Sequence, residues 1–418
     1  MLVRRALHQL AGSLTIQYNS IYANLLGANA VQLGSLQSAG NAMGALASVA
    51  AGWLIDYYSP KKVFLAGTAM LAVSRLLYFV APHWAWLFAA IILYYLGMRT
   101  TCTCCTVTCA TELPNARRAT GRGFCKTVAA IVAILAPLAA AALVSLFGGM
   151  NSLGGIRPLY AIQTAVFAVI FVLLLARLRD SRAQSAPDGS KLHVLADFGQ
   201  VLKRGPAVVR LLLVMALMEL PWAMTQPFVP LYVRDFKGAD EFVLGGIAVA
   251  GTVVPLLAAI PLGRLADRHG RKKLLFAIAP LAYAANLSLV FAPATGAAGT
   301  PLMLLYGVFF GFNTIGMALA SSMAAEIVSS EQMGRWIGMI NLFRASLAIP
   351  APYLGGLIWE HIGPQYIFFL AIAADLLVRL PLLASVPETL HSGDGSAGPL
   401  ETHSGERSES PPEGECLR

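Results

Sequence analysis

An ionisable side chain inside a long apolar run is costly in a hydrocarbon environment, so each one asks for a role. Glu219 is the clearest case. Met215, Glu219, Trp222 and Gln226 follow at helical spacing and share one face. Apolar neighbours disfavour an ionised carboxylate, which suits a group that takes up and releases a proton. The same residue also reads as a neutral carboxyl kept for packing. Pro221, two positions on, can bend the helix beside it. Two cations, Arg99 and Arg344, lie in equally apolar stretches; either can hold an anionic solute, or pair with Glu219 until displaced. Gln17, Ser20 and Asn24 fall on one helical face with Tyr18 and Tyr22 near it. Together with Asn41, Asn313 and Asn341 they read either as groups lining a cavity or as polar glue between helices. Arg75, and the pair Asp375 and Arg379 four residues apart, read as structural charges, the pair neutralising itself locally. Cys102, Cys105 and Cys109 also share a face, and thiolates suit soft metals. No histidine accompanies them, and small residues serve close helix packing, so neither a metal nor a cofactor is expected.

The elements that must position these residues follow from composition. Apolar residues make up 57% of the chain and charged ones 12%, where a soluble protein carries about 25% charge. Apolar runs of about 20 residues recur, long enough to cross a bilayer as helices. The expected fold is an all-α polytopic membrane protein of about twelve transmembrane helices in two pseudo-symmetric six-helix bundles. The expected boundaries are a first bundle at 1–178, a cytoplasmic linker at 179–206 and a second bundle at 207–386, with a disordered tail at 387–418. In the linker, Leu192, Leu195, Phe198 and Leu202 recur at the spacing of a surface-lying amphipathic helix. The net charge of +9 falls mainly in alternate loops. That pattern sets both termini in the cytoplasm and argues against a nucleic-acid partner. Arg4 and Arg5 precede a first apolar stretch broken by polar residues, which reads as a retained helix. Six cysteines, four in one helix, form no disulfide framework. The seven histidines are scattered without metal or triad spacing, so an enzyme is not expected.

The two halves repeat. Gly27-Ala28, Gly34, Gly52, Asp56 and Lys61-Lys62 recur at one constant offset as Gly238-Ala239, Gly245, Gly263, Asp267 and Lys272-Lys273. The run from Gly263 through Asp267, Arg268, Gly270, Arg271 and Lys272 to Lys273 resembles the signature loop of the major facilitator superfamily, G-x-x-x-D-R-x-G-R-K. The first copy departs from it, with Tyr57, Ser59 and Pro60 where the pattern has Arg, Gly and Arg. Glu112 and Arg122 resemble Glu326 and Arg335 in the other half. The resemblance implies a monomeric secondary transporter working by alternating access, with spans one and seven lining a central cavity. It also implies an inner gate in which Asp56 bridges to the other half with Glu112, Arg117, Arg118 and Arg122 as relay partners. The expected partners are a small-molecule substrate, protons and the lipid bilayer, and the expected location is the plasma membrane. Trp222, Phe228, Tyr18 and Tyr22 favour an aromatic cavity and a proton-coupled exporter of hydrophobic, drug-like compounds. Arg99 and Arg344 favour the alternative, an uptake or exchange porter for small organic anions. A transporter-like sensor or lipid flippase is the reading from another class.

Overall fold

The computed structural model describes residues 2–112, 118–177, 206–294, 299–326 and 333–386. It places side chains for all of these except 2, 49–57, 60, 106–112, 118–126, 206–207, 325–326 and 333–335. Arg117, most of the expected linker and the expected tail lie outside the described residues, as do the side chains of Gly52, Asp56, Glu112, Arg118 and Arg122.

The described chain is helical throughout. The first half runs α1 (Leu2–Thr15), α2 (Asn19–Leu25), α3 (Ala30–Tyr57), α4 (Pro60–Val80), α5 (Trp86–Glu112), α6 (Arg118–Leu146) and α7 (Leu153–Arg177). The second runs α8 (Pro206–Thr225), α9 (Val229–Lys237), α10 (Glu241–His269), α11 (Arg271–Phe291), α12 (Gly299–Glu326), α13 (Met333–Ala348) and α14 (Ala351–His361). The last run is α15 (Tyr366–Ala374), a π-helical turn (Asp375–Arg379) and α16 (Leu380–Ala384). Among the described residues, nine helical runs are long and apolar enough to cross a membrane. The first span of each half is broken near its middle: α1 gives way to α2, and α8 to α9 at Gln226–Phe228.

Each half has its own packing. The α1 helix lies against α6 and α7, and α4 against α5 and α7, around Ala11, Phe64, Leu71 and Phe167. In the second half α12 packs on α10 and α11, and α8 on α13, around Leu211, Met215, Leu275, Met323 and Trp336. These side chains are apolar because bilayer-embedded helices associate through close van der Waals contact.

The sequence repeat has a structural meaning at each position. After the Gly27-Ala28 and Gly238-Ala239 turns, Asn29 and Asp240 occupy matching helix starts. Asn29 exchanges reciprocal hydrogen bonds with Gln32, at 2.8 and 2.9 Å, and Asp240 accepts from the Val243 amide at 2.8 Å. Both thereby satisfy donors left open at a helix N-terminus. Where the loop copies diverge, so do the turns. Gly270 has φ +98°, a left-handed conformation that a side chain resists. Its counterpart Ser59 stays extended at φ −61°, accepts from the Lys62 amide, and is followed by Pro60 at the first helical position. The departure of the first copy is therefore a change of capping device rather than decay of the turn.

The halves meet along two seams, α3 against α14 and α6 against α10. Gly34 and Gly356 make the first seam possible. A side chain at Gly356 would come within 2.5 Å of the Ala30 carbonyl oxygen, and one at Gly34 would strike the Pro352 carbonyl. On the second seam Gly245 lies over the Pro137 carbonyl. A hydrogen bond from Arg234 Nη2 to Asn24 Oδ1, 2.6 Å, joins α9 to the end of α2. All these contacts sit at the end of the molecule away from the Lys61 and Lys272 loops.

Candidate functional site

The described centre of the molecule is organised by one ion pair. Arg344 on α13 contacts the carboxylate of Glu219 on α8, with the two side chains 24% and 16% exposed. The pair thus joins two spans and keeps some access to open space. Arg344 is of the two cations the one that takes Glu219. One turn along α13, the Ala348 carbonyl accepts a hydrogen bond from Asn41 of α3 at 2.7 Å, across the seam. One turn along α3 from Asn41 is Gly44, where a side chain would come within 3.5 Å of Arg99 Nε on α5. Asn41 thus joins α3 to the last turn of α13, and Arg99 lies beside α3 one turn further along. Arg99 is exposed, as is Asn341, one turn from Arg344.

Several residues expected along a cavity are placed elsewhere. Tyr18 and Tyr22 are fully buried. Tyr22 donates to the Tyr78 carbonyl at 2.7 Å and lies 4.8 Å, ring to ring, from Tyr160, inside the first bundle. Gln17 is buried and donates to the Pro137 carbonyl of α6 at 3.4 Å, which makes it a packing contact of its own half. Asn24 belongs to the Arg234 contact at the rim. Phe228 is fully buried and stacks on Trp359 at 5.4 Å. The expected shared face on α8 is divided: Met215 is core, Glu219 meets α13, and Trp222 stacks on Phe310 of α12 at 4.8 Å. Gln226 donates to the Tyr306 hydroxyl, also of α12, at 3.3 Å. Helical spacing fixes which residues share a face but not how many neighbours that face meets, and α8 meets both α12 and α13.

A second polar cluster was read from the sequence only as a local charge pair. Asp375 and Arg379 lie on the π turn, both buried. Arg379 Nη2 reaches Asp375 Oδ2 at 2.7 Å, and Tyr283 of α11 donates to the same oxygen at 2.5 Å. These groups, with Asn286, Asn313, Trp222 and Phe310, line a small pocket within the second half. The wide turn matters here, because π-helical turns are rare and displace side chains from regular α spacing. No sequence signal marked it.

At the loop end, Arg271 lies 3.5 Å from Asp267, whose side chain is 65% exposed. Lys272 donates to the Ala384 and Val386 carbonyls at 2.7 and 2.6 Å, closing the C-terminal end of α16 where helix carbonyls lack partners. Lys61 is half-buried and Lys62, Lys273 and Arg268 are exposed. Gly263 has open space around it among the described residues. In the cysteine-rich helix, Cys104 is buried and Cys102 exposed, and Cys105 accepts from Arg4 Nη2 at 2.9 Å.

Two bundles of repeated helices, joined at glycine-lined seams with charged groups at the centre, define a multi-pass membrane protein of internally duplicated architecture. The chain belongs to the Major Facilitator Superfamily, whose model matches residues 5–254 and 211–406. It is 30% identical over 235 residues to the "Multidrug resistance protein MdtG" of Citrobacter koseri, and 26% identical over 273 residues to that of Escherichia fergusonii. The first alignment covers 55% of each chain and the second 64% of this chain and 63% of the relative; the chain thus spans little more than half the length of such relatives. The fold matches the solved nucleoside transporter NupG with TM-score 0.75 at 16% identity, over 92% of this chain and 97% of that one. A D-xylose–proton symporter matches with TM-score 0.68 at 14% identity, over 93% and 98%.

Proposed function

We propose that this protein is a secondary transporter that exports drug-like compounds by alternating access, with proton binding at Glu219 as the coupling step. The carrying observation is the Glu219–Arg344 contact between α8 and α13, one turn of α13 from the Asn41–Ala348 contact with the first half. A carboxylate held by one arginine has two states that differ in charge. Ionised, it binds Arg344 and ties two spans together; protonated, it releases that cation. Partial exposure leaves a route for protons. Similarity to multidrug resistance proteins supports the export direction and the drug-like cargo.

The two bundles, 1–178 and 207–386, would rock as units about the central site. With the Lys61 and Lys272 loops on the cytoplasmic side, the Gly34, Gly356 and Asn24–Arg234 contacts close the outer end. The described arrangement then corresponds to an inward-facing state. On this reading both termini are cytoplasmic, the location is the plasma membrane and the working unit is a monomer. Asp56, Glu112, Arg118 and Arg122 would form the inner gate.

The test is flux in proteoliposomes. Glu219→Gln is expected to abolish gradient-driven export while leaving substrate exchange intact. Unchanged gradient-driven transport by this variant would refute the coupling role.

A further inference from the structure

We infer that the cargo of this site is an amphipathic organic anion, held by Arg99 on one side of the seam and by the Arg344 side on the other. This rests on the transport reading above and adds to it the charge of the substrate.

The argument is a balance of charges in the middle of the spans. Glu219 is matched by Arg344. Asp375 is matched by Arg379. Arg75 is buried with its guanidinium 3.9 Å from the Tyr94 ring centroid and 5.1 Å from that of Tyr78, where ring faces offer it negative charge. Arg99 stands at the middle of α5, and among the described residues it has no carboxylate beside it. It is exposed rather than buried, on the face turned to Gly44 of α3. A cation at that depth is expensive unless water or an anion reaches it. Among the described residues, it is the mid-span cation that has neither a carboxylate nor a ring face against it, which leaves it open to a partner from outside.

Depth and position agree. Arg99, Gly44, Arg344 and Glu219 all lie near the middle of their own spans, the level at which transporters of this architecture hold solutes. Asn41 of α3 reaches the Ala348 carbonyl one turn from Arg344, and Gly44, one turn along α3, lies beside Arg99, so the two cations flank this contact between the halves. An anion there would contact both halves at once, which a cargo must do if it is to bias their relative position. The aromatic groups that would instead favour a lipophilic cation are committed elsewhere. Tyr18, Tyr22 and Phe228 are fully buried in packing, and Trp222 is stacked on Phe310. The central site therefore carries one net positive charge among its described residues.

The experiment uses two permanently charged fluorophores on one aromatic body, 1-pyrenesulfonate and pyrenylmethyl-trimethylammonium, with the full chain in proteoliposomes. Export of the sulfonate and exclusion of the ammonium are expected. Arg99→Gln should weaken apparent sulfonate affinity about tenfold or more, since a charge-assisted contact is lost, whereas Arg99→Lys, which keeps the charge, should stay within about threefold. Export of the ammonium alone would overturn the inference while leaving the transport reading in place. Equal sulfonate export by Arg99→Gln would also overturn it. Failure of both fluorophores to move under a proton gradient would overturn the inference and the transport reading together.

Discussion

The second half of this protein holds two acid–arginine pairs, and they differ in almost every respect except chemistry. Glu219 and Arg344 come from different helices, α8 and α13, and retain partial exposure. Asp375 and Arg379 come from one π turn, are buried, and receive a third partner, the Tyr283 hydroxyl. The first pair can be broken by moving a span or by protonation from an accessible side. The second would have to be broken inside a closed bundle. Equal chemistry thus stands in two settings: a half-exposed contact between two spans, and a buried staple joining the last span to α11.

The comparison is sharpest in stability. Asp375→Asn should cost the most, about 3–5 kcal/mol, because it strands a buried guanidinium. Unfolding in detergent would measure it, and a loss under about 1 kcal/mol would erase the distinction between the pairs. Glu219→Gln should cost no more than about 2 kcal/mol, since Arg344 can turn to water and the amide still accepts a hydrogen bond. Its main effect should be on gradient-driven flux. Tyr283→Phe removes one hydroxyl hydrogen bond and should cost about 1 kcal/mol, with transport intact in the folded fraction. Smallest is Asp267→Asn, where an exposed carboxylate loses a long contact with Arg271; a change within about 0.5 kcal/mol is expected. A large stability loss at Asp267 would reveal a stronger partner than Arg271 at that loop.

Much of the architecture was legible in the sequence because bilayer physics leaves few choices. Long apolar runs had to be helices, and the repeated Gly and basic positions marked the matching turns and loops of the two halves. Glu219 and Arg344 were legible for the same reason: mid-span charge is too costly to be incidental. The fate of Tyr18, Tyr22 and Trp222 was not legible. Each lies on a face that the spacing identifies, but an apolar or aromatic face looks the same whether it meets a cavity or another helix. The π turn was invisible too, since Asp375 and Arg379 at i, i+4 would pair on an ordinary helix.

By itself, then, the chain determined its membrane-spanning helices, their duplication, the turn chemistry of the repeat and the short list of charges that needed partners. These depend on local composition and on the cost of polar groups in hydrocarbon, which act within one segment. Tertiary structure alone decided that Arg344 pairs with Glu219 while Arg99 stands apart, and that Tyr18, Tyr22 and Phe228 are buried in packing. It also decided that the halves touch at Gly34, Gly356 and Gly245. Those outcomes depend on which helices become neighbours, a contest among many nearly equivalent apolar surfaces that close backbone approach and a few charges resolve.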